Sequence, residues 1–390
     1  MSTFPWKEWI PGALNNQQLQ TLIGQGFIEN AAGCSPDYSS IDLRLDGDVY
    51  EMVQGSVKPQ GAAYEHFLRT ETRFATPKHM GRGGEMVLEP TKTYVFKLRE
   101  QLSMRLKGSN MHGQATAKSS VGRVDVLARL IVDGMYNYEG FDDTMWEGGN
   151  GSMFLEVTPI TFHVRVKEGS SLSQLRFFYG KPEQSIVRGK ELYEAVLLRN
   201  DGRPVDECLR VDVSEVSFGA RKGVAFMAKE NVEPVKLWVE KDRDGKPINR
   251  PSPESYWHLA PQVDGRMRIT ERNFYILRSK EKINLPRGLC VYCRAIDETI
   301  GEMRIHYAGF VHPYFGYPTE TGQAPGTSLI FEVCGHDVNV VLNDNEPLAR
   351  LQFYRMSQDC ASPPDRKKLS PYTGQTLKLS QFFDDFPIAN

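Results

Sequence analysis

The sequence predicts a mainly β protein made of two tandem copies of one domain, with few short helices. Three observations carry this. Short β-branched or aromatic runs bounded by turn residues recur along the chain, helical periodicity is scarce, and four segments recur in the same order at a nearly constant offset. Many short strands with few helices indicate a sandwich or barrel rather than a parallel α/β sheet.

In chain order, the first element is a short helix over Asn16–Phe27, with Leu19, Leu22 and Ile23 at helical spacing and Gly24 and Gly26 as its stop. Ile41–Leu45 (IDLRL) alternates with period two, so one face is apolar and the other carries Asp42 and Arg44. Tyr94–Leu98, Thr161–Val166, Phe274–Leu277 and Val338–Leu342 read as further strands. The recurrences pair Glu85–Pro90 with Gly265–Thr270, Leu102–Leu106 with Ile283–Arg287, Met153–Val157 with Leu329–Val333, and Leu172–Phe177 with Leu348–Phe353. The last two share an offset of 176 residues. The charged run KDRDGKPINRPSP ending at Pro253 reads as a linker, which divides the chain into 1–232 and 233–390.

A length of 390 residues suits two domains. Lys+Arg number 47 against 49 Asp+Glu, a near-balance that argues against a dedicated nucleic-acid binder. No run approaches the ~18 apolar residues of a membrane helix. The opening MSTFPWKEWIPG has no charged n-region followed by an apolar stretch, and six cysteines are ordinary cytosolic usage. The expectation is a cytoplasmic protein without nucleic-acid or membrane partners.

The segment Ala115–Arg123 (ATAKSSVGR) carries the sharpest chemistry. Lys118 supplies a point charge and Arg123 a planar fork of donors. The hydroxyls of Ser119 and Ser120 lie between them, and Gly122 permits a tight turn. Such a loop can cradle a phosphate chain, or it can be a solvated basic turn. It is not a Walker loop, because G-x-x-x-x-G-K-[ST] is absent. Glu156 and Glu332 each sit in a Phe/Leu-Glu-Val context, where a glutamate either faces solvent from a half-buried strand or serves as an acid–base group. Cys290-Val-Tyr-Cys293 is a single C-x-x-C whose side chains alternate across a strand, so it reads as core. A zinc deaminase needs H-x-E with P-C-x-x-C, and no H-x-E occurs, so no zinc and no protein-bound metal are expected. Among the histidines, His163, His306 and His336 included, no H-x-x-x-H pairing occurs, and only His312 reads as adjacent to a site.

Ser40–Leu45, the Tyr94 strand, the AKSSVGR loop, Leu155-Glu156 and the closing Ser370–Lys378 (SPYTGQTLK) together resemble the dCTP deaminase branch of the dUTPase-like superfamily. The corresponding family features are a "vDvRLg" strand, an "R-S-S-L-x-R" loop, an "LE" strand and a "Y-x-G-Q" tail. The resemblance implies two distorted β jelly-roll (dUTPase-like) domains and conversion of dCTP to dUTP and ammonia. A glutamate would move the protons without a metal, and Mg²⁺ would accompany the triphosphate. It implies Lys118, Ser119, Ser120 and Arg123 as triphosphate ligands, and Glu332 or Glu156 as the catalytic carboxylate. Tyr372, Gln375 and Lys378 would form a tail closing over the nucleotide. Family sites lie between neighbouring copies. The resemblance therefore leaves open a homo-oligomer, such as a trimer of two-domain chains, or a monomer with one shared site. A dUTP diphosphohydrolase, a bifunctional enzyme and a nucleotide-sensing regulatory protein are its rivals.

The copies have diverged in ways that assign labour. Opposite Ser119–Arg123 the second copy reads Glu298-Thr-Ile-Gly-Glu302, whose carboxylates would repel a triphosphate. Yet the second copy keeps Ala308–Gly316 (AGFVHPYFG), similar to the family's "G-x-I-D-P-G-[YWF]-x-G" turn, and it alone carries the tail. The expected site therefore takes its phosphate loop from the first copy and Glu332 from the second. His312 stands where the family turn has Asp, and Lys118 where it usually has Arg. Asp133 is the first copy's candidate for that Asp, without a clean register. The stretches Phe141–Gly151 and Pro318–Gly326 are insertions that either shape or cover the site, as a lid would, or decorate the surface.

Overall fold

In the computed structural model the described residues are 6, 8–34, 36–144, 146, 149–231, 233–296, 303–305, 309–316, 326–361, 372 and 374–387. Two antiparallel sheets dominate. In the first, strands run in the order Val126–Val132, Ser152–Pro159, Thr93–Leu102, Ile41–Met52, Ser171–Tyr179, Met111–Ala117 and Gly140–Asp142. In the second, Thr327–Gly335, Phe274–Ile283, Cys208–Asp212, Pro347–Arg355, Leu289–Ala295 and Phe310–Val311 repeat the last six positions of that order, pair by pair. The duplication read from four weak matches is thus a duplication of topology, and the mainly β, jelly-roll-like architecture follows.

Alternation explains the strands. Ile41, Leu43, Leu45 and Val49 are buried, while Arg44 lies on the opposite face. That face is not simply wet: fully buried Glu100 accepts Arg44 N at 2.7 Å and Arg44 Nε at 2.6 Å. The second copy builds the same device, with buried Glu281 accepting Arg210 N at 2.7 Å and Arg210 Nη1 at 3.2 Å. A buried carboxylate left without its cation costs several kcal/mol, which ties each arginine to its strand register.

The expected boundary at 232/233 is corrected. Ile186–Val187, Leu197–Leu198, Cys208–Asp212 and Ala225–Ala228 all pair with strands of the second sheet, so the second unit begins soon after Tyr179. The supposed linker is a hairpin of that unit, Glu240–Lys241 against Pro247–Ile248. Just before it, Val235–Lys236 returns to the first half and pairs in parallel with Val164–Arg165. One core spans both halves: Phe226, Trp257, Phe274 and Ile276 pack with first-half residues, and Phe162 meets Trp257 edge-on at 5.2 Å.

Smaller differences have local causes. The first helix covers Asn16–Gly24, started by an Asn15–Gln18 capping box and ended ahead of Gly26 at φ +71°. The strand expected from Thr161 begins at Val164, since Thr161 bonds Asp125 Oδ2 at 2.6 Å instead of joining the ladder. The Phe141–Gly151 insertion is neither lid nor decoration where described: Trp146 is fully buried and donates to Asp133 O at 3.0 Å. Gly151, at φ +83°, lies so close to Leu102 that a Cβ would come within 1.8 Å of its carbonyl oxygen. Residues 298–302, His306 and 317–325 lie outside the described residues, and with them the acidic counterpart loop and nearly all of the second insertion. Among the described residues no helix is long and apolar enough to cross a membrane.

Candidate active site

A cavity of about 340 Å³ opens between the two halves. Its walls bring together Lys118, Ser119, Ser120, Gly122 and Arg123 from the first half, His312 and Glu332 from the second, and Tyr372 and Gln375 from the tail. These residues span more than 250 positions of sequence, and they meet at one cavity within a single chain.

The loop is more ordered than a turn. Lys118 ends the Met111–Ala117 strand and Ser119–Gly122 form one helical turn. The N–H groups of Val121 and Gly122 donate to Lys118 O, and that of Arg123 to Ser119 O. Gly122 does not have positive φ, so the tight-turn reading is corrected. It is small because the other half comes close: a Cβ there would lie 2.9 Å from Glu332 Oε2. The Lys118 ammonium pairs with Asp42, which lies two strands away on Ile41–Met52.

Arg123 is 3 % exposed and occupies the centre of the site. Its Nη1 donates to Lys378 O at 3.0 Å, its guanidinium lies over the Tyr372 ring at 3.8 Å, and its Nε is 4.0 Å from Glu332 Oε1. One residue thus touches the tail and the carboxylate together. The tail is anchored further by Gln375 Nε2, which donates to Ser328 O at 2.9 Å, and by Gly374 N, which donates to Thr327 Oγ1 at 3.0 Å. Leu377, Leu379, Phe382 and Phe383 then enter the shared core. Lys378 meets Arg123 through its backbone; its ammonium points to Asp385 at 3.9 Å and does not line the cavity.

Burial pushes the Glu332 carboxyl up to about 8, against the pull of Arg123 and with a further push from Asp125. Asp125 is fully buried, and its own carboxyl is raised by burial while Arg304 and Thr161 oppose. Arg304 Nη2 donates to Asp125 Oδ1 at 3.0 Å, an ion pair between the halves beside Glu332. A carboxyl that titrates near neutrality can take and return protons at working pH.

His312 lines the cavity, 2.9 Å from Ser39 Oγ through Nδ1 and 3.9 Å from Asp37 through Nε2. Burial lowers its pKa, while the Asp37 carboxylate pulls the other way. Glu156 lies elsewhere. Its Oε1 accepts from Arg129 Nε at 3.0 Å and its Oε2 from Tyr138 Oη at 3.1 Å, and Arg129 is its direct cross-strand neighbour. Asp133 is also outside the cavity; it is buried and accepts Tyr64 N. In the first copy Asp142 holds the position of His312, since Phe141 and Val311 pair with the equivalent residues Gly113 and Val291, which in turn face Phe177 and Phe353. Sequence reasoning missed Asp37, Ser39, Asp125 and Arg304, whose neighbourhoods give no motif; Cys293, read as core from its C-x-x-C, lines the cavity.

Comparisons with known proteins identify the family. The N-terminal domain model of 2'-deoxycytidine 5'-triphosphate deaminase matches residues 10–181, and the C-terminal domain model matches residues 183–383. Their junction falls where the strand pairing divides the chain. No curated protein matches the sequence. The crystal structure of 2'-deoxycytidine 5'-triphosphate deaminase from Agrobacterium tumefaciens superposes with a TM-score of 0.73 at 24 % identity, covering 90 % of this chain and 96 % of that one. With both domain models matched in order across nearly its whole length, the chain belongs to the 2'-deoxycytidine 5'-triphosphate deaminase family.

Proposed function

We propose that this deaminase converts dCTP to dUTP and ammonia at the cavity between its halves, with Glu332 moving the protons. The observation that carries the reading is the 4.0 Å approach of second-half Glu332 to first-half Arg123, within the same cavity as Lys118, Ser119 and Ser120. The ionised Glu332 accepts a proton as water adds through oxygen to C4 of the cytosine. The carboxyl passes that proton to N3, then takes the proton of the new C4 hydroxyl and delivers it to the exocyclic amine; the C4–N4 bond breaks with its electron pair leaving on nitrogen, and ammonia departs as C4 becomes a carbonyl. Arg123 holds Glu332 and the tail in register, and preorganised charge of this kind stabilises developing charge without reorganisation.

In this reading Lys118, Arg123 and the hydroxyls of Ser119 and Ser120 hold the triphosphate, and Tyr372 and Gln375 close the cavity. Lys378 contributes its carbonyl as Arg123's partner. His312, bonded with Ser39, forms the wall next to Tyr38. Mg²⁺ would accompany the triphosphate as its counter-ion and offset part of its ~4 negative charges, which Lys118 and Arg123 alone do not balance. Because one chain supplies both parts of the site, the single-chain shared site is favoured over a ring of identical sites, and a light-scattering mass tests it. The six cysteines are all free, which suits a reducing, cytoplasmic setting.

Incubation of the purified chain with dCTP and Mg²⁺ tests the activity: equimolar dUTP and ammonia are expected. Pyrophosphate and dUMP as the first products would replace the reading with diphosphate hydrolysis.

A further inference from the structure

We propose that the first half holds a first-row divalent metal ion, such as Zn²⁺ or Mn²⁺, at His112, Asp142 and Asp143, separate from the nucleotide cavity. The residues meet because of the sheet register: His112 on Met111–Ala117 is directly opposite Asp142 on Gly140–Asp142, and Asp143 follows at the turn. Directly opposed residues share a face of the sheet, so the imidazole and carboxylate are brought side by side by backbone pairing. Candidate ligand atoms of the three residues all lie within 4.8 Å of one another.

A second observation points to something between them. His112 is 4 % exposed and Asp143 1 %, and neither His112 Nε2 nor Asp143 Oδ1 has a hydrogen-bond partner among the described residues. These two atoms face each other at 3.9 Å, and His112 Nδ1 lies 3.7 Å from Asp142 Oδ1. Each distance is too long for a hydrogen bond. A buried polar atom without a partner is unfavourable, and a shared ion would satisfy both Nε2 and Oδ1 at once. An ion with bonds of ~2.0–2.2 Å sets its donors roughly 3–3.5 Å apart, so the Nε2–Asp143 pair needs to close by about half an ångström, and the three ligand atoms, which lie within 4.8 Å of one another, by up to about 1.5 Å as the Asp142 carboxylate turns toward the ion.

The surroundings resemble an outer ligand shell. Asp143 Oδ2 accepts Asn110 N at 2.7 Å, and Asp142 Oδ1 accepts Thr144 N at 2.9 Å and Thr144 Oγ1 at 2.7 Å, which fix how both carboxylates present themselves. An imidazole nitrogen beside two carboxylates favours first-row transition ions over Mg²⁺ or Ca²⁺, which prefer all-oxygen sets. Lys181 lies near Asp142 and opposes part of the site's charge without occupying it. His112 and Asp142 also line a second cavity of about 440 Å³, which carries Glu139, Lys181 and second-half Tyr292. This leaves room for water on the ion's open positions. Bound there, the ion would staple the Gly140–Asp142 strand to Met111–Ala117.

The test uses the full chain, stripped by chelator and free of nucleotide. Titration with Zn²⁺ alone in a calorimeter, and with Co²⁺ alone by visible absorption, is expected to give one ion per chain. A Co²⁺ band should disappear on adding Zn²⁺, and the melting temperature should rise. Asp143→Asn and His112→Gln should each weaken binding at least tenfold. Asp142→Asn, at a half-exposed position, guards against a variant that merely misfolds, and circular dichroism checks all three. The proposal is overturned by binding weaker than millimolar, by stoichiometric binding that all three variants retain, or by an imidazole of His112 that titrates unchanged in the presence of the ion.

Discussion

Glu332→Gln should stabilise the protein while abolishing its chemistry, by an amount that depends on pH. The Glu332 carboxyl has an ordinary value of 4.5 in the unfolded chain and about 8 in the fold. Between those values the unfolded chain has released the proton and the folded chain still holds it. Stability contributed by this group is therefore fully present below 4.5 and is lost as pH rises toward 8. One pH unit of difference corresponds to ~1.4 kcal/mol, so the group lowers stability by about 1 kcal/mol at pH 5, about 3 at pH 7 and about 5 at pH 9, relative to a permanently neutral side chain. Glutamine has the same shape and no charge, so the variant's advantage over the parent should widen by ~2 kcal/mol from pH 5 to pH 7. Urea unfolding of both proteins at pH 5, 7 and 9, with the variant's midpoint shift as the readout, measures it directly. Parallel stability curves would refute the reasoning, because they would mean that Glu332 ionises normally in the fold. Functional sites commonly carry such a stability cost.

Three further outcomes follow from the same geometry. Gly122→Ala keeps an allowed backbone but drives a Cβ to 2.9 Å from Glu332 Oε2, so kcat should fall ~10–100-fold with little change in melting temperature; unchanged kcat would contradict the close approach. Arg123→Lys loses the stack on Tyr372 and the forked reach to Lys378 and Leu379 carbonyls, which should raise the KM for dCTP about tenfold or more in steady-state assays. Because the ionised form of Glu332 accepts the proton, kcat/KM should climb about tenfold per pH unit up to about 8 and then level off; a flat profile from pH 6 to 8 would exclude this carboxyl as the base.

Much of the site was legible before any coordinates. The Lys118–Arg123 segment has a residue pattern with few chemical uses, and Glu332 and the Tyr372 tail stand in recognisable contexts. The strands around Tyr94 and Phe274 were readable because aromatic and β-branched residues alternate there. The domain boundary was not. Cys208–Asp212 is a short strand with a single alternation, whereas the Pro-rich run ending at Pro253 looks like a linker and is a hairpin. Local sequence also could not separate Glu156 from Glu332, since both follow a bulky apolar residue and precede Val. What separates them is the residue across the sheet or across the halves: Arg129 pairs with Glu156, while Gly122 and Arg123 leave Glu332 beside a cavity. The role of Gly122 was misread for the same reason, because its neighbour is more than 200 residues away.

Ammonia release from dCTP by Glu332→Gln and Glu156→Gln, each normalised to folded protein, tests the division of labour between the halves most directly. The expected result is a loss of ~10²–10⁴-fold in kcat for Glu332→Gln and a change of no more than a few-fold for Glu156→Gln. Retained turnover in the first variant with loss in the second would place the chemistry in the other half of the chain.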